Sequence, residues 1–346
     1  MKPLKVALVG CGRMGSFTRP ELRQSLPPGW LPLSHAEAIV ATPGLQLDSV
    51  CDTNKDNLER ASRAFGVRGY ADFEEQFAET KPDIVAVATR SRERGPVIMG
   101  ALGAKVSGLH CEKPLATSMQ GCRSLLGAMR DKNVPFTYGT TRRFMDVFRQ
   151  AHAMVTSGDI GQLREIEIRF GRTLLLWNHP HSVDLILFFA DSHSVGSVTA
   201  LISQLSQVSD PTTREDDPIV EEATVLFDNG VIGRIVGEGG MCVTLIGSEG
   251  VITIGEDGRW LERSTRGRTD RMNANPTMSG TARAFLELEQ AIRKQALTSI
   301  TAEDVETGTA ILLAIAASGL SGGTAVNPRS IDPAFTIQGR FGNNYV

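Results

Sequence analysis

The chain has no charge of one sign to spare. Its 346 residues carry 36 Lys and Arg against 39 Asp and Glu, a balance of −3. A general attraction to nucleic acid or to an anionic membrane is therefore not expected. No apolar run approaches the ~20 residues needed to span a bilayer. The start, Met1-Lys2-Pro3, leads directly into a strand-like run, so no signal peptide is expected. Cysteine is sparse and odd in number: five, at 11, 51, 111, 122 and 242. No two of them have metal-ligand or redox-motif spacing, and reduced thiols in a cytoplasmic protein are the expectation. His179, His181 and His193 lie near one another in sequence, but no carboxylate spacing completes a metal set with them. What is present is an ordinary globular composition, 41% hydrophobic and 22% charged. The length suggests two domains, and the 35 glycines are dispersed, as tight turns require.

Residues 4–9 form a short apolar run rich in β-branched side chains, the pattern of a buried parallel strand. Gly10, Cys11, Gly12, Arg13, Met14 and Gly15 follow at once. This is G-x-G-x-x-G between a strand and a helix, where glycines let the backbone approach a pyrophosphate and a helix N-terminus offers N–H groups to it. A second strand, 45–51, ends at Asp52. An acid there bonds the adenosine ribose and favours NAD over NADP; turn chemistry is the other reading, and Lys55 is within reach of an NADP 2′-phosphate. The fingerprint and this acid are normally ~20 residues apart. Here the gap is wider, because residues 16–34 hold four prolines and cannot be one helix. The helical pattern resumes at His35. A flap over the cofactor, a subunit contact and a passive surface loop all fit this insertion.

Residues 83–89 form the next buried strand, ending at Thr89. The arginines Arg90, Arg92 and Arg94 follow, suited either to an acidic group or to a solvated helix start. After a helix at 95–104 comes a strand that ends in His110, Cys111, Glu112, Lys113 and Pro114. Proline keeps Lys113 extended or turning, which aims an amine and a carboxylate at the crevice outside a strand end. A helix over 118–131 and a strand at 134–139 complete a β-α-β alternation. That alternation predicts a doubly wound parallel sheet over residues 1–141.

These residues together resemble the Gfo/Idh/MocA family (glucose–fructose oxidoreductase, inositol dehydrogenase and relatives), over nearly the whole length. The resemblance rests on Gly10, Gly12 and Gly15, on Asp52, on Ala88-Thr89 and on Glu112-Lys113-Pro114. It continues through Arg142-Arg143-Phe144, residues 157–161 before a strand, and His181 and Asp184 at a helix start. It implies an N-terminal Rossmann domain and, over 142–346, an α+β domain with an open, mostly antiparallel sheet for substrate binding and oligomerisation. Alternating strands at 163–170, 195–202, 222–227, 231–236, 243–246 and 250–255 fit that domain, with a hairpin signal at Asp228-Asn229-Gly230. Helices over 280–297 and 302–319 are expected to complete it and to touch the first domain. The polar tail beyond Asn327 is read as a subunit arm or as loose chain.

The resemblance further implies NAD, with NADP open, and hydride transfer to or from a secondary alcohol or ketone of a sugar, sugar derivative or cyclitol. Cofactor contacts fall to Gly10, Gly12, Arg13, Met14, Gly15, Asp52, Thr89 and Glu112. Lys113 is the expected acid/base, with a pKa lowered by burial and by nearby positive charge. His181 is expected to bond the reacting hydroxyl, with His179 two residues earlier as a second candidate; a capping or core histidine is the alternative. Arg143 and Trp177 join Lys113 and His181 as substrate contacts. Many polyol-oxidising members carry an aspartate four residues before this histidine, where this chain has Trp177 after a shortened loop from Gly171. A homodimer or homotetramer through the second sheet is implied. Two other readings remain: a glycosidase or lyase that retains its NAD, and a dinucleotide-binding regulator without chemistry.

Overall fold

A computed structural model describes residues 2–204 and 212–339. They divide into two compact units. The first comprises 2–115, 123–145 and 277–301; the second comprises 116–122, the described part of 146–276, and 302–339.

The first unit is built on six strands, β1 (Leu4–Val9), β2 (Leu45–Cys51), β3 (Arg68–Tyr70), β4 (Ile84–Val87), β5 (Gly108–Cys111) and β6 (Phe136–Tyr138). All pairings are parallel, in the order β3-β2-β1-β4-β5-β6. The expected doubly wound sheet is present. β4 and β5 are wholly buried, and β4 accordingly reads as an unbroken apolar run. Helices α1 (Pro20–Ser25), α2 (His35–Ala41), α3 (Lys55–Phe65), α4 (Phe73–Thr80), α5 (Ser91–Gly103) and α6 (Met119–Asp131) connect the strands. β3 is three residues around a glycine and carries no periodic signal. The strand order reverses between β1 and β4, and the carboxyl ends of those two strands bound the ligand crevice of such sheets.

The insertion is a closed excursion from one helix. Residues 12–16 make a single turn, closed by Ser16 N–H on the Gly12 carbonyl at 2.9 Å. The chain then leaves and returns at α2, where the N–H groups of His35 and Ala36 bond the carbonyls of Met14 and Gly15, both at 2.8 Å. Without residues 16–34 the distance to Asp52 would be near the usual ~20 residues. Glu37 ties the excursion down. Its carboxylate accepts from Thr18 Oγ1 and Ser34 Oγ, each at 2.7 Å, and pairs with Arg23. Trp30 and Leu33 are buried, so this segment is packed chain.

The second unit contains α7 (Asp146–Thr156), β7 (Leu163–Arg169), β8 (Thr173–Leu174), α8 (Leu175–Ala190), β9 (Val195–Ser203), β10 (Thr213–Arg214) and β11 (Ile219–Phe227). It continues with β12 (Ile232–Ile235), β13 (Cys242–Gly247), β14 (Gly250–Gly255), β15 (Trp260–Thr265) and β16 (Arg268–Asn273). The sheet runs β16-β15-β14-β13-β7-β12-β11-β8, with β9 also on β11. Its pairings are antiparallel except β7 with β12, as the mostly antiparallel expectation has it. The turn at Asp228-Asn229-Gly230 joins β11 to β12, with Gly230 at φ 83°.

Three expectations change. The helix foreseen at 280–297 is α9 (Gly280–Lys294), and it packs in the first unit instead of completing the second. Phe285 and Leu288 belong to the core of Val6, Leu8, Ile39 and Val50, and side chains of α9 fill the space a Cβ at Gly108 would need. An amphipathic helix shows which face is buried, not against which sheet. After α10 (Ala302–Leu320), the tail is built into the second unit as far as Gly339. Its β17 (Thr336–Ile337) pairs with β10, and Ile337 is fully buried. Residues 340–346 lie outside the described residues. The helix expected to start at His181 and Asp184 begins earlier, at Leu175, with Pro180 inside it. Asp217 permits the earlier start: its carboxylate accepts from Leu176 N at 2.7 Å and Trp177 N at 3.0 Å. A remote side chain thus satisfies first-turn N–H groups that Leu174 at the N-cap cannot. Removing both bonds with Asp217→Ala should cost about 1–2 kcal/mol, read as a lower denaturant midpoint at unchanged slope.

Candidate active site

Each fingerprint glycine has its own steric reason. Gly10 has φ +96°, and a Cβ there would stand 2.7 Å from the Ala88 carbonyl carbon, so the loop lies directly against the end of β4. A Cβ on Gly15 would overlap the Gly10 carbonyl oxygen at 1.8 Å. Gly12 has nothing within 4 Å of its Cβ position. The first and third glycines make the turn and its packing, and the second leaves open backbone for a phosphate to approach. Arg13 borders this loop. Burial lowers its pKa, and neighbouring Arg19 of the insertion lowers it further.

Asp52 stands at the end of β2, half-buried. Its Oδ2 accepts from Cys11 N at 2.6 Å and its Oδ1 from Asn54 N at 2.8 Å. The acid therefore pins the glycine loop, and an ionised carboxylate has further lone pairs for a ribose. Lys55 is exposed at the start of α3. Across the switch point, Thr89 Oγ1 is buried without a hydrogen-bond partner among the described residues. An orphaned hydroxyl beside an open glycine loop fits a dinucleotide with its own polar groups to offer. The residues present accommodate that cofactor.

Glu112 and Lys113 follow β5. Glu112 is 5% exposed, and its oxygens are both engaged. Oε1 meets His35 Nε2 at 3.1 Å, and Oε2 accepts the Lys113 main-chain N–H at 3.1 Å. Gly139 makes room, since a Cβ there would lie 2.9 Å from the carboxylate carbon. Burial alone would push this carboxyl up. The His35 hydrogen bond and the charges of His35, Lys113 and Arg94 outweigh it and hold the group well below the usual carboxylate range. Lys113 is half-buried. Burial lowers its pKa to about 8; Glu112 opposes this, while Arg94, Arg13 and Arg142 add to it.

The arginines of the sequence reading separate. Arg94 is buried, and its guanidinium donates to the carbonyls of Pro114 and of Thr89, the latter at 2.6 Å. It is a strut between the loops after β4 and β5, not a solvated or substrate-facing group; Arg90 and Arg92 are exposed. Arg142 and Arg143 lie buried in a short 3-10 turn, Thr141–Phe144. Arg142 stacks on Trp30, 4.8 Å from the ring centre, and Arg143 donates to the Ser299 carbonyl at 3.0 Å. Arg143 thus has a structural partner of its own.

In the second unit, α8 places Trp177, His181 and Asp184 at i, i+4 and i+7, on one helix face. Trp177 and His181 are half-buried and Asp184 is buried. His181 sits in the second turn of α8 rather than at its start. Neighbouring His179 is fully buried, bonded from Nδ1 to Ser182 Oγ at 3.1 Å, and burial lowers its pKa to about 4. His179 is a neutral core histidine.

Within the first unit, the fold brings Gly10, Gly12, Arg13, Met14, Gly15, Asp52, Thr89, Glu112 and Lys113 to the carboxyl ends of neighbouring parallel strands. That arrangement defines a dinucleotide-binding protein of the Rossmann class. Residues 4–140 match GFO_IDH_MocA, the oxidoreductase family with an NAD-binding Rossmann fold. Over those residues the chain is similar to the Gfo/Idh/MocA oxidoreductases, and the matched domain is of the NAD-binding kind.

The curated proteins that match by sequence include two oxidoreductases of known organism. An uncharacterized oxidoreductase of Streptococcus pneumoniae is 31% identical over 109 residues, 31% of this chain and 29% of that protein. D-apiose dehydrogenase of Paraburkholderia graminis is 25% identical over 228 residues, 62% of this chain and 56% of that protein. Both matches span less than two thirds of those relatives. Among solved structures, myo-inositol 2-dehydrogenase from Lactobacillus plantarum superposes with a TM-score of 0.72 at 20% identity, covering 94% of this chain and 99% of that one. At that identity the likeness is one of fold.

Two outcomes are expected here. Gly12→Ala should leave the melting temperature unchanged and weaken NAD⁺ binding by calorimetry, whereas Gly15→Ala should lower the melting temperature. Glu112→Gln removes a carboxylate that raises the Lys113 pKa. Competitive acetylation of Lys113 against pH, read by peptide mass spectrometry, should therefore show its midpoint falling below about 8.

Proposed function

We propose that the chain is an NAD-dependent oxidoreductase acting on a secondary alcohol or ketone of a sugar, sugar derivative or cyclitol. The observation that carries this reading is Lys113. It is an amine just past a strand end of the Rossmann sheet, brought by burial and neighbouring arginines to a pKa of about 8. That value lies close to working pH, where an acid/base group is most effective. The sugar and cyclitol activities of the apiose and inositol dehydrogenases support the substrate class.

NAD, when bound, supplies the hydride acceptor. Nζ of Lys113, as the free amine, would take the proton of the substrate hydroxyl as that carbon is oxidised. In the reverse direction the ammonium returns that proton to the new alkoxide. Glu112 keeps the lysine from losing its proton too readily, and Asp52 holds the loop and bonds the adenosine ribose. We assign His181 to the reacting hydroxyl and Trp177 to the substrate's apolar face. With tryptophan at 177, no aspartate relay runs through that position. Assembly as a homodimer or homotetramer through the open sheet, in the cytoplasm, belongs to the same proposal.

The test is a panel of sugars, sugar phosphates and cyclitols with NAD⁺ and NADP⁺, read as absorbance of the reduced nicotinamide. Turnover of one of them with NAD⁺ is expected. NAD that co-purifies and stays bound, with no net reduction on any compound, would sink the dehydrogenase reading in favour of a glycosidase, lyase or regulator. Oxidation needs the free amine. Its rate should therefore rise with pH through about 8 and level off above it. Lys113→Ala should lower kcat by about 10²–10⁴-fold and flatten that profile.

A further inference from the structure

His35 opens α2, fully buried, on the far side of the insertion. Its side chain reaches Glu112, 77 residues away, while its main-chain N–H bonds the Met14 carbonyl. One residue therefore touches both the glycine loop and the carboxylate beside Lys113. Its ring is fixed on the other sides. His110 packs edge-on at 4.6 Å between centroids and Phe285 at 5.8 Å. Nδ1 is buried with no hydrogen-bond partner among the described residues, so the only bond the ring makes there is the one from Nε2. The carboxylate of Glu112 can only accept, which makes Nε2 the donor. His110 is no substitute: its Nδ1 bonds Thr137 Oγ1 at 2.9 Å.

We propose that His35 is a positioning residue: by donating from Nε2 to Glu112 it fixes that carboxylate beside Lys113 and ties its place to the turn that carries the glycine loop. This rests on the dehydrogenase reading for its functional meaning and on the geometry alone for the bond. A buried carboxylate that loses a donor either finds another partner or takes up a proton. The charged and titratable groups around Glu112 are His35 from α2, Lys113 beside it, Arg94 from α5, Arg13 from the glycine loop, and His110 and Cys111 on β5. Burial pushes the Cys111 thiol up to about 12 and holds His110 neutral. Neither therefore carries a charge that would offset that of Glu112.

The test compares His35→Gln with His35→Ala, because neither replacement titrates. The glutamine amide can still donate to Glu112; alanine cannot. With glutamine the carboxyl stays depressed, and a depressed carboxyl contributes stability that is present at high pH and lost as pH falls. With alanine, burial drives the carboxyl upward and protonation relieves it. The glutamine variant should therefore melt higher than the alanine variant at about pH 8, by a margin that shrinks at about pH 5.5. In a Glu112→Gln background the margin should lose its pH dependence. Equal melting temperatures, or a margin independent of pH with Glu112 in place, would overturn the proposal, since lost packing alone does not titrate. Wild-type protein titrated with NAD⁺ separates the two ideas: failure to bind would remove the dehydrogenase reading and leave the His35–Glu112 comparison standing.

Discussion

A buried carboxylate must be satisfied from every side, and Glu112 imposes that constraint on the first unit. His35 comes to it from α2 and Lys113 turns its own main-chain N–H onto it. Arg94 lends charge from α5, while β6 leaves the side-chain space open at Gly139. Four segments distant in sequence are thereby held to one point at the carboxyl end of β5. The cost of an unpaired buried anion, several kcal/mol in a protein interior, is what gives this arrangement its rigidity. Lys113 is tuned within it. Burial and three guanidiniums favour the amine and Glu112 favours the ammonium, and the balance falls near working pH.

The nineteen residues at 16–34 show how a fold can absorb an insertion without moving its site. The excursion leaves after one turn and returns to the carbonyls it left, so α2 continues from the glycine loop as though the chain were unbroken. Its own polar groups are gathered on one carboxylate, Glu37, and Trp30 lies under the Arg142 guanidinium. The N–H groups of His35 and Ala36 are spent on Met14 and Gly15. In this loop the open space lies beside Gly12.

The site was legible where chemistry and local backbone coincide. Gly10 and Gly15 are dictated by close approach, Gly10 by its positive φ as well, and Asp52 is marked by its place at a strand end. Lys113 was marked by the proline after it. Arg94 and Arg143 were illegible because an arginine's role depends on which carbonyls it meets, and those lie in loops far along the chain. His35 gave no signal beyond helix resumption. Asp217 caps a helix 40 residues before it in the chain, so the N-terminus of α8 could not be placed from its own sequence.

The sequence by itself determined the parallel strands, the glycine loop with its acid, and the amine before the proline, because each follows from periodicity or from sterics within a few residues. Tertiary structure alone decided that α9 packs on the first sheet, that Arg94 bridges the loops after β4 and β5, and that His35 reaches Glu112. The physical reason is the same in each case. An amphipathic helix, a buried guanidinium and an imidazole all need a partner, and local sequence states the need without naming who meets it.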